Sequence, residues 1–223
     1  MIALTVFRVA AYVRSHRVYQ ALLFLLVLVA ITYGSRAPKG AETAVLADAA
    51  VLAIPILAWA SRSLLDTEPD QQRALSEISV GGRLRELGAG LLAALMTSLV
   101  LVALALGWGL ALGVSAVPAP GEFAGVLALY GIAALAGVVF GALTSRVILR
   151  SPAISIIALL LGFLAMLVLS ASPLYWLTIP LVSWMKSANS ADLTAQLPEL
   201  AAISLFWCLL GLACYVWLRR TRP

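Results

Sequence analysis

The sequence predicts an all-α polytopic membrane protein with six transmembrane helices and an amphipathic helix at the N-terminus. Three observations carry that prediction. Of 223 residues, 63% are hydrophobic and 11% charged, and the mean hydropathy is +1.04. A water-soluble core has no use for that much apolar side chain. Uncharged runs recur at lengths that suit a bilayer crossing of about 20 helical residues. Lys and Arg gather at the ends of these runs, so the net charge of +5 reads as an orientation signal, not a nucleic-acid footprint.

Residues 1–17 precede the first apolar run and do not look like a cleavable signal peptide, so a retained helix is expected. On that helix Ile2, Val6, Val9 and Val13 share one face, with Arg8 and Ser15 opposite. The pattern suits a helix lying along the inner membrane surface, with Arg8, Arg14 and Arg17 near anionic headgroups. A helical cytoplasmic tail is the plainer alternative. Spans follow at 18–35, 43–61, 88–114, 123–145, 152–170 and 200–218. The second contains Asp48 and, at its middle, Pro55, which leaves a carbonyl unpaired unless neighbouring helices cover it. Pro-Ala-Pro-Gly at 118–121 ends the third, and Pro173 and Pro180 break the fifth run. With the N-terminus inside, twelve arginines fall on the cytoplasmic side, against Arg36, Lys39 and Lys186 outside. That bias puts the N-terminus in the cytoplasm, and an even number of spans puts the C-terminus there too; the expected location is the plasma membrane.

The largest cytoplasmic segment, 62–87, holds a short helix-forming stretch. Thr67 is placed to cap it, Pro69 suits the first turn, and Asp70 stands where a capping box has Glu or Gln. Ala74 and Ile78 lie on one side with Leu75 adjacent, and Arg73 and Glu77 are four apart on another. Gly81 and Gly82 follow its end. Such a helix offers a partner a docking surface, or is simply a well-formed loop. The external segment 171–199 begins apolar and aromatic. Tyr175, Trp176 and Trp184 suit the headgroup belt, and Pro180 divides two short pieces that either dip into the outer leaflet or lie on it.

Motifs for catalysis are missing: the sequence has no HExxH, no GxSxG and no P-loop. Cys208 and Cys214 lack metal-site spacing, and His16 reads as a surface residue. The expectation is a non-catalytic chain with no metal and no cofactor. Ion-coupled transport normally needs buried ionisable groups. Here Asp48 is the one carboxylate clearly inside a span, and Glu199 borders another. Gly137 and Gly141 form a GxxxG that permits close helix contact.

In layout, and in the stretch SRSLLDTEPDQQRALSEISVGGRLRELGAGLLAAL from Ser61 to Leu95, the chain resembles the permease of an ABC-2-type ABC transporter. These are six-span subunits frequent in actinobacteria. The resemblance implies a type V exporter-like architecture in which residues 1–17 and the loop between spans two and three touch a separate ATPase subunit. It makes 68–79 the coupling helix, with Asp70, Arg73, Ala74, Glu77 and Ile78 as contact residues and Thr67 as cap. It also implies short broken helices at about 173–186 and a second permease chain, identical or related. Short external loops without a sugar-binding surface favour export of a lipid, peptide or hydrophobic drug over a polysaccharide. ATP hydrolysis belongs to the partner. A non-transporting immunity or assembly protein has the same hydropathy without needing a docking helix. An integral membrane enzyme is disfavoured by the apolar spans.

Overall fold

Among the described residues, 1–221 without the side chain of Asp70, the chain of this computed structural model forms nine α-helices. They are α1 (Ile2–Arg14), α2 (Val18–Thr32), α3 (Glu42–Leu65), α4 (Asp70–Val80), α5 (Arg83–Trp108), α6 (Pro120–Leu143), α7 (Pro152–Ala171), α8 (Leu181–Asn189) and α9 (Leu193–Thr221). Arg222, counted above on the cytoplasmic side, lies outside the described residues.

The bundle is organised around α3. Its small side chains, among them Ala47, Ala50, Ala53 and Ala60, are fully buried and let other helices come close. The most extensive of these contacts is with α6. A Cβ added at Gly137 would stand 2.5 Å from Leu57 Cβ, and one at Gly141 would stand 2.6 Å from the Ala58 carbonyl oxygen. The GxxxG pair therefore brings two helices of one chain together. Helices α2, α5 and α8 complete the surroundings of α3, and α9 packs on α6. Pro55 sits within continuous α3, where Val51, whose carbonyl its ring leaves without a donor, is fully buried. Coverage by neighbours is what makes the proline tolerable there. Helices α7 and α9 sit at the periphery, and their exposed Leu160, Leu161, Val168, Leu209 and Trp217 form an apolar outer surface.

Among the described residues, five helices are long and apolar enough to cross a membrane singly: α3, α5 with its π-helical extension Gly109–Gly113, α6, α7 and α9. Helix α2 has 15 residues, about 22 Å, and falls short of a hydrocarbon core of about 30 Å. It reaches span length only together with α1, from which it is bent by 74°. His16, with φ of 60°, lies in that bend. The chain is thus all-α with five long apolar helices, or six if the bent pair counts as one. Helix α9 starts at Leu193, earlier than the span expected from 200, with Pro198 inside it. A proline in the second turn removes only one bond, to the Thr194 carbonyl, so the helix continues.

Candidate functional site

The Arg-rich end of the bundle contains a buried charge junction that joins segments remote in sequence. It begins with the polar face of α1. Thr5, Arg8 and Tyr12 are buried against α5, while Ile2, Val6 and Val13 are exposed. Arg8 therefore does not lie among headgroups as expected. A guanidinium near a low-dielectric core needs partners, and α5 supplies them. Its Nη1 donates to the Glu86 carbonyl at 2.9 Å and its Nη2 to Glu86 Oε1 at 2.5 Å. Nη2 also pairs with the Glu68 carboxylate on the approach to α4. Gly90 makes room: a Cβ there would stand 2.7 Å from Arg8 Nη1.

The other oxygen of Glu86 accepts from Arg219 Nη2, near the end of α9, at 3.0 Å. Arg83 donates to the Arg219 carbonyl. Exposure is only 2% for Glu86, 8% for Arg8 and 6% for Arg219, so bulk water does little to screen these pairs. Two guanidinium and two carboxylate groups balance. Their hydrogen bonding is nearly complete, with the Nε atoms of Arg8 and Arg219 left without acceptors among the described residues. The arrangement ties four segments of the chain to one another. Moving α1, the α3–α4 connection, α5 or α9 alone would separate buried opposite charges.

Helix α4 projects from this junction. Ser76 donates to the Glu68 carboxylate, and Arg73 Nη2 donates to the carbonyls of Leu65 at 3.0 Å and Glu68 at 3.3 Å. Arg73 thus ties α4 to the end of α3. Ala74, Leu75 and Ile78 are exposed, and Glu77 is half-buried. Asp70 opens the helix, and its side chain lies outside the described residues. Thr67 is not the cap. The residue before the helix is Pro69, in extended backbone with no side-chain cap, and Thr67 Oγ1 instead donates to the Ser63 carbonyl at 2.8 Å. The last turn of α3 takes this hydroxyl because Thr67 follows it four residues on. At the other end, Gly81 is left-handed with φ of 79°, and the Gly82 N–H bonds the Glu77 carbonyl at 2.9 Å, closing α4 with glycines as the sequence indicated.

Arg14 and Arg17 are exposed, and Arg17 Nη1 donates to the Asp66 carbonyl at 3.3 Å. At the opposite end the segment before α9 forms a 3-10 turn, Tyr175–Leu177, and α8, divided near Pro180. Trp176 is 54% exposed and Tyr175 reaches Glu199 Oε1 at 3.3 Å. Trp184 departs from the headgroup expectation: it is fully buried, and its Nε1 donates to Ser204 Oγ at 3.1 Å. The amphipathic α8 turns its large face inward onto α3, not out to lipid. Asp48 is half-buried and lines an apolar cavity of about 670 Å³ between α3, α7 and α8, with Lys186 at the same cavity.

Glu68, Glu86 and Arg219 were not singled out in the sequence. Glu86 and Arg219 sit at the edges of apolar runs, where a charge normally reads as a boundary marker, and Glu68 lies in the polar segment between two of them. Spacing in the chain carries no sign that Arg8 and Glu86 meet. Among the described residues, no group of three or more His, Cys, Asp or Glu is placed to hold a metal ion. No family model, curated protein or solved structure matches the chain. Its own helices define its class, an all-α, multi-span membrane protein.

Proposed function

We propose that this chain is the permease subunit of an ATP-driven, ABC-2-type transporter, exporting a hydrophobic or amphipathic compound with a separate ATPase subunit and a second permease chain. The observation that carries this reading is α4. A free-standing loop helix gains nothing from exposing Leu75 at 68% and Ile78 at 78% unless a partner or the membrane covers them. Its base is locked through Glu68 to Arg8 and onward through Glu86 to Arg219. A push on α4 by an ATPase would be delivered to α1, α5 and α9 together, as a non-catalytic coupling element requires. Arg73 and Glu77 then serve different ends: Arg73 fastens the helix, and Glu77 with Ala74, Leu75 and Ile78 meets the partner. The mostly apolar cavity beside Asp48 and Lys186 fits an amphipathic cargo better than a sugar polymer.

Mild-detergent purification of the full chain from its own cells, with partners identified by mass, tests the reading. An ATPase subunit equal in number to the permease chains is expected. The pair Leu75→Asp and Ile78→Asp should lose it while the chain keeps its gel-filtration profile. If no ATPase is recovered even after crosslinking from positions 75 and 78, the reading fails and a scaffold or immunity role takes its place.

A further inference from the structure

Beside the junction, at the same end of the bundle, lies a separate cavity of about 650 Å³. Arg17 from the link between α1 and α2, Arg73 of α4, and Arg146 and Arg150 of the α6–α7 connection line it, against Asp66 and Glu68. The Glu68 carboxylate is already engaged by Arg8 and Ser76. Asp66 accepts the Arg146 N–H at 2.9 Å and faces Arg62, from its own helix end, at 3.7 Å. Among the described lining residues, four guanidinium groups face two carboxylates. The side chains of Arg146 and Arg150 are exposed and donate no hydrogen bond to any described residue. Three separate parts of the chain thus bring like charges to one concave surface, which costs energy unless an anion occupies it.

We propose that this cavity binds the phosphate group of an anionic ligand, supplied by a lipid headgroup in the leaflet at the Arg-rich end. The guanidinium fork matches phosphate oxygens in paired, charge-assisted bonds. The cavity opens where α3 and α6 end, the ends of membrane-spanning helices are where a chain meets headgroups, and basic pockets between span ends on the cytoplasmic side suit such lipids. Its volume is in the range of small-ligand sites, about 300–1,000 Å³. A soluble phosphate ester presents the same chemistry. The site does not depend on the ATPase reading.

The test is thermal unfolding of the full chain in neutral detergent, titrated with phosphatidylglycerol, phosphatidylcholine or glycerol 3-phosphate. Phosphatidylglycerol should raise the midpoint well beyond phosphatidylcholine. Arg146→Gln with Arg150→Gln should weaken this by at least about tenfold in half-saturating concentration, two charged hydrogen-bonding partners being lost. Arg36→Gln with Lys39→Gln, the same charge loss at the other end, should not. Val147→Trp fills the cavity without altering charge and should weaken binding as well, which separates occupancy from misfolding. Competition by glycerol 3-phosphate at similar concentrations assigns the phosphate to a soluble ester and retains the site. An unweakened Arg146/Arg150 variant, equal weakening in the control, or no response to any phosphate compound overturns the proposal and leaves the cavity to a partner protein's carboxylates.

Discussion

Replacing Glu86 with Gln should be among the most damaging conservative changes in the chain. The carboxylate receives Arg8 at 2.5 Å and Arg219 at 3.0 Å with 2% of its surface exposed. Breaking a buried ion pair by removing one partner costs about 3–5 kcal/mol, because the remaining charge is left uncompensated. Gln still offers one carbonyl oxygen, worth about 1 kcal/mol. Arg8 keeps Glu68 and its bond to the backbone of residue 86, so the loss falls mainly on Arg219. The expected destabilisation is about 3 kcal/mol for Glu86→Gln and about 2 kcal/mol for Arg219→Gln. The double variant should cost about 3 kcal/mol, not their sum, a coupling of about 2 kcal/mol. Reversible unfolding by sodium dodecyl sulfate in mixed micelles can be followed by the reactivity of the buried Cys208 thiol, on a Cys214→Ser background that removes the exposed one. A loss under about 1 kcal/mol for Glu86→Gln, or strict additivity, refutes the charge junction as a stabilising unit.

Gly141→Ala should destabilise by about 1–3 kcal/mol, because the new methyl meets the backbone of Ala58 at 2.6 Å and of Arg62 at 2.8 Å, neither of which can yield. Gly107→Ala meets nothing within 4 Å and should be neutral or stabilising by up to about 1 kcal/mol; the same unfolding assay ranks the pair, and equal effects would refute the packing argument. Trp184→Phe should cost about 1 kcal/mol for the lost bond to Ser204, measured against Trp176→Phe, which should cost nothing because that ring is exposed. Burial holds the Asp66 carboxyl above the usual carboxylate range, with the Arg146 N–H and the charges of Arg62, Arg146 and Arg73 opposing the rise. Folding favours its protonated form, a contribution that is full below an ordinary Asp pKa of about 4 and is lost as pH rises through the raised value. Protonation also leaves Arg17, Arg73, Arg146 and Arg150 facing one carboxylate fewer, so phosphatidylglycerol should bind more tightly as pH falls through that window. Asp66→Asn should bind more tightly at neutral pH and flatten the profile, and an unchanged profile in that variant refutes the role of Asp66.

Hydropathy and charge placement by themselves determined the class of this protein. Apolar runs of bilayer length force helices, because a backbone in lipid must satisfy its own hydrogen bonds, and the runs are long enough to count. Local chemistry also determined the glycine stop after α4 and the break at Pro180. Only the tertiary structure decided which face of each amphipathic piece turns inward. Arg8 and Trp184 both looked like interface residues, since each sits on a helix with a polar and an apolar side. Each is buried where a partner 78 or 20 residues away, Glu86 or Ser204, accepts hydrogen bonds from its polar end. Periodicity reports that a helix has two faces, but long-range pairing chooses between protein and lipid, and in a membrane both are apolar enough for either choice to look right.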